Sequence, residues 1–554
     1  MLSLVGVISL PLFNAHSYVF GHDVEFHFAR IEGMAIGLAD GQFPVRINGF
    51  PFNGYGEMSP IFYPNLFLYI PALLRLSGCS FVVAYNIFFI LINLSTALLT
   101  YRAFNLLLND VRKAATIAML YTGFFYRLVD IYSRAAIGEA LAMAFMPLAL
   151  ISMWLLLNRS TKMWSDVVIG FTGVLQSHLL STVFLIVAVL SFVLISWRRL
   201  RERKIQTALG KTIFLVALIN LWFYFPFISM YHQIRFTMQD AASMYFNMPS
   251  YNSFPLISMA AFQCLCGWSI VLILVEYIYK SCRMNALERQ KFFSSDWFSM
   301  LIVGVMFTIA ATTLFPWSAL ESVPYIGARL AFIQFPFRFM MFASIALSCC
   351  AGLALTESIE EKYSDFIVAG LCILIAQVNL SYLTSTIEAN KFFRIEYRQE
   401  MSDETVRLLR KSGFFDYLPA GIGRHDIFRG YRDGDKVDLR LETNIPFDEV
   451  IPADIVSDFR KFGTTIEFTA HTSAPTSIRL PLFYYPGYEA VTSMGERPAI
   501  HRGESNRLTV DVPSGETHVK VRYVGQRSWR IAELISIAGV IAFAICLRRN
   551  EFSS

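Results

Sequence analysis

Asp23, His27 and Arg30 stand at positions i, i+4 and i+7 of the segment GHDVEFHFARIEG, which places them on one helical face. A carboxylate, an imidazole and a guanidinium on one helix face at a membrane boundary suggest proton-transfer chemistry or phosphate binding. Val24, Phe28, Ile31, Ala35 and Leu38 make the opposite, apolar stripe, so the helix reads as lying along a membrane interface. Three further segments carry comparable groups. YRLVDIYSRAAIGEA sets Asp130 and Arg134 one helical turn apart, with Glu139 beyond them. LQSHLLS holds Gln176 and His178, and RLAFIQFPFRFM holds Arg329, Gln334 and Arg338. Each has a plainer reading: Asp23 as a helix cap, Asp130–Arg134 as an ion pair, His178 as a hydrogen-bonded helix end, Arg338 as a snorkelling side chain.

The elements that must position these groups are membrane helices. The chain has 554 residues, 55% hydrophobic and 16% charged, with mean hydropathy +0.48. A soluble protein carries about 25% charged residues. Apolar runs predict about twelve spans of about 20 residues each, roughly at 1–20, 80–104, 113–127, 136–157, 165–177, 179–197, 211–230, 256–279, 298–315, 338–356, 364–384 and 530–547. The first resembles a signal peptide but lacks a basic start and a small-residue cleavage site, so it is kept as a membrane helix. Residues 61–78, with Pro64 and Pro71, fit a re-entrant or interfacial helix better than a straight span.

The net charge of +5 says less than its distribution. Basic clusters occur at Arg112-Lys113, at Arg198 to Lys204, at Lys280 to Lys291 and at Arg548-Arg549. With 61–78 not crossing, all fall on one side, which the positive-inside rule makes cytoplasmic. Both termini are then cytoplasmic, and the polar residues above gather at the outer ends of separate helices. Ionisable groups near a bilayer are costly and usually have a partner or a task.

Residues 1–384 thus form a membrane module with an outer loop at 21–60, and residues 529–554 a C-terminal anchor. Between them, 385–528 is expected as an extracytoplasmic domain, helical at SDETVRLLRKSG and then β-rich. KVDLRLE, TTIEFTAHT, SIRLPLFYY, RLTVDVP and HVKVRYV alternate with period two, which suggests a small β-sandwich. The loop at 231–255 reads as a mobile outer loop or interfacial lid. The eight cysteines lie in or beside spans and lack metal-site spacing.

Several classes are disfavoured. No phosphate-binding Walker motif, dinucleotide fingerprint or zinc spacing is present, and no sizeable cytoplasmic domain would take a nucleotide. Nothing points to nucleic acid. A transporter keeps its polar site near the midplane, often with inverted repeats, whereas mid-span charge is sparse here. Outer-face chemistry needs an energised donor delivered through the membrane, and a lipid-phosphate sugar meets that need.

The chain resembles the glycosyltransferase C (GT-C) superfamily of integral membrane enzymes: a first span, then an outward loop with an early Asp. The strings DVEFHFARI, GQFPVRI, Gly54-Tyr55-Gly56 and Phe62-Tyr63-Pro64 are similar to those of bacterial YfhO-type membrane proteins. They are closer still to relatives labelled "6-pyruvoyl-tetrahydropterin synthase-related", although nothing here resembles a soluble pterin enzyme. IQFPFRF (333–339), FDYLP (415–419) and FYYPGY (483–488) extend the resemblance over nearly the whole chain.

The resemblance implies a GT-C-like fold and transfer of a sugar from a polyprenyl-phosphate donor to an envelope glycan or glycolipid acceptor, at the bacterial cytoplasmic membrane. Asp23 matches the superfamily's general base. Arg30, Arg134 and Arg338 are implied phosphate ligands, and His27, Tyr63, Asp130, Glu139, His178 and Gln334 further substrate-binding residues. A divalent ion, magnesium or manganese, stays open, with Asp23, Asp130 or Glu139 as its ligands. Glu25 follows Asp23 in place of a tight acidic pair. Two alternatives stand beside this reading: a transporter or flippase of lipid-linked glycans, and a non-catalytic envelope assembly protein.

Overall fold

The computed structural model describes residues 1–19, 21–240, 249–253, 267–325, 327–330, 333–359, 364–389, 398–411, 415–420, 422 and 450–551. The chain divides into two units. One comprises Met1–Val24, Tyr85–Val216 and Ala242–Gln399; the other comprises Glu25–Ala84, Ala217–Ala241 and Glu400–Ser554.

The apolar runs fold as helices because lipid offers no partner for backbone N–H and C=O groups. The helices, polar ones among them, include in chain order α1 (Leu2–Ile8), α2 (Val24–Ala39), α3 (Phe81–Leu108), α4 (Val111–Thr122), α5 (Phe125–Tyr132), α6 (Ile137–Asn158), α7 (Trp164–Leu175), α8 (Leu179–Ile195) and α9 (Arg203–Gln233). They continue with α10 (Trp268–Cys282), α11 (Ala286–Phe293), α12 (Asp296–Ala310), α13 (Met340–Ser358), α14 (Ser364–Ala389), α15 (Asp403–Lys411) and α16 (Arg527–Glu551).

Six stretches among the described residues are long and apolar enough to cross a membrane: Phe81–Leu108, Ile137–Asn158, Arg203–Gln233, Pro336–Ser358, Asp365–Ser385 and Arg527–Arg548. A seventh arises if α11 and α12, bent by 51°, make one span. Among the described residues, the expected twelve stretches of that length are not found. The first apolar run yields only the 7-residue α1 before Pro11. The runs at 113–127 and 165–177 yield the 12-residue helices α4 and α7. A helix of that length rises about 18 Å, short of a hydrocarbon core of about 30 Å. The run at 179–197 yields the 17-residue α8. That at 256–279 lies partly outside the described residues.

In the first unit α6 and α13 are buried along most of their length. Small residues allow close helix contacts. A Cβ on Gly170 of α7 would meet the Ala149 backbone of α6 at 2.6 Å, and one on Gly352 of α13 would meet Ile117 of α4 at 2.5 Å.

The second unit carries two antiparallel sheets. Their strands are β1 (Val456–Phe462), β2 (Thr465–Thr472), β3 (Thr476–Phe483), β4 (Tyr488–Thr492), β5 (Ile500–Arg502), β6 (Arg507–Val512) and β7 (Gly515–Tyr523). The orders are β1-β2-β7-β4 and β3-β6-β5. Ile466, Phe468, Val519 and Val521 from one sheet and Ile478, Leu480, Leu508 and Val510 from the other share one core. Glu467 and Lys520, paired across strands on the outer face, meet at 2.7 Å. KVDLRLE (436–442) lies outside the described residues, as do 241–248 and 254–255 of the expected lid.

The segment 45–62 is an ordered part of the same unit. Ile47, Phe52, Tyr55, Met58, Ile61 and Phe62 form a core with Met230, Phe236, Leu418, Phe483, Tyr485 and Trp529. The Phe483 amide donates to the Tyr55 carbonyl at 2.8 Å, and the Tyr485 hydroxyl to the Gly56 carbonyl at 3.2 Å.

Candidate functional site

In the first unit the polar groups converge on Glu139, at the first turn of α6. Its Oε1 accepts the Tyr126 hydroxyl from α5 at 2.5 Å. Its Oε2 accepts Arg134 Nη1 at 2.8 Å and Arg338 Nε at 3.4 Å. The same Arg134 nitrogen donates to Asp130 Oδ1, one turn back. Asp130, Arg134, Glu139 and Arg338 are all buried, and Asp130 Oδ2 has no hydrogen-bond partner among the described residues.

The chain bends to deliver these side chains. Asp130 and Tyr126 share a face of α5 at i, i+4 spacing. Arg134 lies in the short turn between α5 and α6, followed by Ala135 at φ +54°. Gln334, ahead of the 3-10 turn Pro336–Phe339, is at φ +59°. Left-handed backbone at a non-glycine residue costs about 1–3 kcal/mol and concentrates at functional sites. Arg338 Nη1 donates to the Ile333 carbonyl and to Gln334 Oε1, both at 3.0 Å. The Arg134 guanidinium sits 4.8 Å from the Phe337 ring centroid. Rings and carbonyls thus fix the planes of both guanidinium groups.

Asp23 joins this group through the backbone. Its amide donates to the Arg134 carbonyl at 2.8 Å, and the His22 amide donates to the Ser133 carbonyl at 3.3 Å. Arg134, His22, Arg338 and Glu139 lie near enough to the Asp23 carboxylate to act on it electrostatically. Burial lifts its carboxyl above the usual aspartate range; nearby Arg134, His22 and Arg338 pull the other way, and Glu139 adds to the rise. Such a carboxylate is a stronger base than an exposed one.

His178 caps α8. Its Nδ1 lies 2.9 Å from Ser181 Oγ and 3.4 Å from the Ser181 amide. It also lies close enough to Glu139 to interact with it electrostatically.

His27, Arg30 and Tyr63 come together in the second unit. Arg30 Nη1 lies 3.3 Å from His27 Nδ1. Its Nη2 donates to the Pro64 carbonyl at 2.7 Å and to the Tyr63 carbonyl at 3.4 Å. The guanidinium stacks 4.1 Å from the Tyr63 ring centroid. Arg30 is buried, so its donors hold the turn at 63–64. Beneath it lies Glu57, whose Oε1 accepts Asn48 Nδ2 at 2.9 Å and the Ser59 hydroxyl. Burial pushes the Glu57 carboxyl up to about 7.

Tyr126, Phe337 and Glu57 escape a reading of the sequence. Tyr126 carries a signal in its i, i+4 spacing to Asp130, and Phe337 in its place beside Arg338. Glu57, in a loop without periodicity, carries none.

Of the carboxylates expected to hold a divalent ion, Glu139 and Asp130 offer between them one oxygen without a hydrogen bond, Asp130 Oδ2. Both oxygens of Glu139 and one of Asp130 are taken by protein donors. Among the described residues no three His, Cys, Asp or Glu side chains are grouped to hold a metal.

No protein-family model matches the chain, and no curated protein matches it by sequence. Solved structures similar to it include three glycan-transfer proteins. Arabinofuranosyltransferase AftD from Mycobacteria aligns at TM-score 0.39 and 12% identity, over 69% of this chain and 26% of its own. The Archaeoglobus fulgidus oligosaccharyltransferase in its apo form aligns at 0.38 and 12%, over 74% and 59%. ArnT from Cupriavidus metallidurans bound to undecaprenyl phosphate aligns at 0.33 and 11%, over 74% and 73%. The chain therefore spans about a quarter of the first and less than two thirds of the second. At these scores and identities the likenesses carry no functional weight by themselves.

Proposed function

We propose that this chain is a membrane glycosyltransferase that moves a sugar from a polyprenyl-phosphate donor to a glycan or glycolipid acceptor outside the cytoplasm. The observation that carries the reading is the Asp23 carboxylate. It is half-buried within electrostatic reach of Arg134 and Arg338, and its backbone amide is tied at 2.8 Å to the carbonyl of Arg134, itself ion-paired to Glu139.

Asp23 takes the proton of the acceptor hydroxyl. The acceptor oxygen bonds to the anomeric carbon from the face opposite the phosphate. The bond from that carbon to the phosphate oxygen breaks, and its electron pair stays on the phosphate. A single displacement of this kind inverts the anomeric centre and needs one base. The leaving polyprenyl phosphate gains a negative charge. Arg134 and Arg338, preset by Glu139, Phe337 and Gln334, stabilise that charge without reorganising.

The test is full-length protein in proteoliposomes, with a synthetic polyprenyl-phosphate sugar and an acceptor confined to one leaflet. Product formed there, and lost with Asp23→Asn, supports the reading. Donor crossing the bilayer without any product would favour a flippase and overturn it.

A further inference from the structure

In the first unit two arginines and two buried carboxylates form one connected network, and a single nitrogen lies at its centre. Arg134 Nη1 donates to both Asp130 Oδ1 and Glu139 Oε2, so it occupies the place of a bridging cation between two carboxylates. The remaining Glu139 oxygen takes the Tyr126 hydroxyl, and Arg338 adds a second positive charge at Oε2. The one spare oxygen of the pair is Asp130 Oδ2. Magnesium demands near-octahedral oxygen ligation, and manganese favours oxygen ligands as well. A dication there would have to displace a guanidinium that stays protonated at every working pH.

We propose that Arg134 is the resident cation of this site, a guanidinium bridge serving where a divalent metal would otherwise stand, so that transfer proceeds without one. The proposal rests on the glycosyl-transfer reading for its substrate, but its metal half does not depend on it. In the balanced step, the acceptor proton ends on Asp23 and the new bond joins acceptor oxygen to anomeric carbon. The phosphate leaves with the electron pair of the broken bond, one charge more negative than in the donor. Arg134 and Arg338 face that added charge.

Full-length protein purified in detergent is dialysed against EDTA. Metal content is read by elemental mass spectrometry, and thermal midpoint with and without added magnesium or manganese. The expected results are far less than one equivalent of either metal, no shift of the midpoint, and no loss of transfer after chelation. Arg134→Ala is expected to lose about 10³-fold in rate, to regain part of it with added guanidinium, and to regain none with either metal. One bound equivalent, a midpoint raised by either metal, or chelation loss reversed by manganese would overturn the proposal. Should Arg134→Ala fail to fold, metal content and midpoint of the unaltered protein still decide it. If no transfer occurs under any condition, the glycosyl-transfer reading fails, and those two measurements still separate the metal question from it.

Discussion

The amide of Asp23 donates to the carbonyl of Arg134 at 2.8 Å, so the proposed base and the proposed phosphate ligand share one backbone joint. Asp23→Asn keeps that joint and removes only the basicity. The expected loss of rate is about 10²–10⁴-fold, the span of a general base, with an unchanged thermal midpoint. Burial raises the Asp23 carboxyl, so activity climbs with pH along a limb centred above 3.8, the ordinary aspartate value. Asp23→Glu, with its carboxylate displaced by one methylene, is expected to keep a pH limb at reduced rate. A pH–rate profile checks both, and a full-rate Asn variant would remove Asp23 from the mechanism.

Arg338 and Glu139 meet at 3.4 Å across 199 positions of sequence. Their two single variants are not equivalent. Glu139→Ala leaves Arg134 and Arg338 buried without that carboxylate, at a cost of about 3–5 kcal/mol. Arg338→Met leaves Glu139 with Arg134 and Tyr126, at a cost of about 1–3 kcal/mol. Denaturation midpoints of the two variants and their double give the coupling. Equal costs would mean that Glu139 does not organise both arginines.

Residue types at this site are legible in the sequence, but their partners are not. Asp130–Arg134 follows from helical spacing, whereas Glu139–Arg338 exists only once α6 and the Pro336–Phe339 turn are packed. Arg30 shows the same limit. Its helical position is legible, but its contacts with the Tyr63 and Pro64 carbonyls are set only by the fold. Three of the family-like strings also serve as joints. Tyr55 meets Phe483, Gly56 meets Tyr485, and the Met58 amide donates to Tyr417 at 3.4 Å. The strands around Ile466, Val510 and Val519 were readable because apolar and charged residues alternate there. β1 was not, since its side chains are only partly buried and a bulge between Ser457 and Arg460 breaks its period.

Glu57 makes stability depend on pH. Its folded carboxyl titrates at about 7 against an ordinary 4.5. Between these values the folded chain holds a proton that the unfolded chain has lost, so stability falls as pH rises. The loss is on the order of a few kcal/mol, starting near 4.5 and complete once pH passes about 7. Glu57→Gln keeps an acceptor for Asn48 and Ser59 and is expected to flatten the profile. Gly33→Ala attacks the same cluster from behind, since its Cβ would lie 1.6 Å from Asn48 Oδ1. Expelling Asn48 breaks its bonds to Glu57 and to the Phe50 amide, costing about 2–4 kcal/mol. Midpoints measured from acid to mildly alkaline pH check both. A profile unaffected by Glu57→Gln would assign the dependence elsewhere.

Gly21→Ala moves the base without touching any reacting group. An added Cβ would lie 2.6 Å from Ala135 Cβ and 2.8 Å from its amide nitrogen. Ala135 is already at φ +54° and cannot retreat cheaply. The segment 21–23 must therefore shift away from 133–135, stretching the bond from the Asp23 amide to the Arg134 carbonyl. A displacement near 1 Å of a catalytic group costs about 10²-fold in rate. The expected outcome is that loss in kcat with KM and the pH limb unchanged, because the carboxylate keeps its chemistry and loses only its position. An unchanged kcat would show that Asp23 need not be held against Arg134 for transfer to occur.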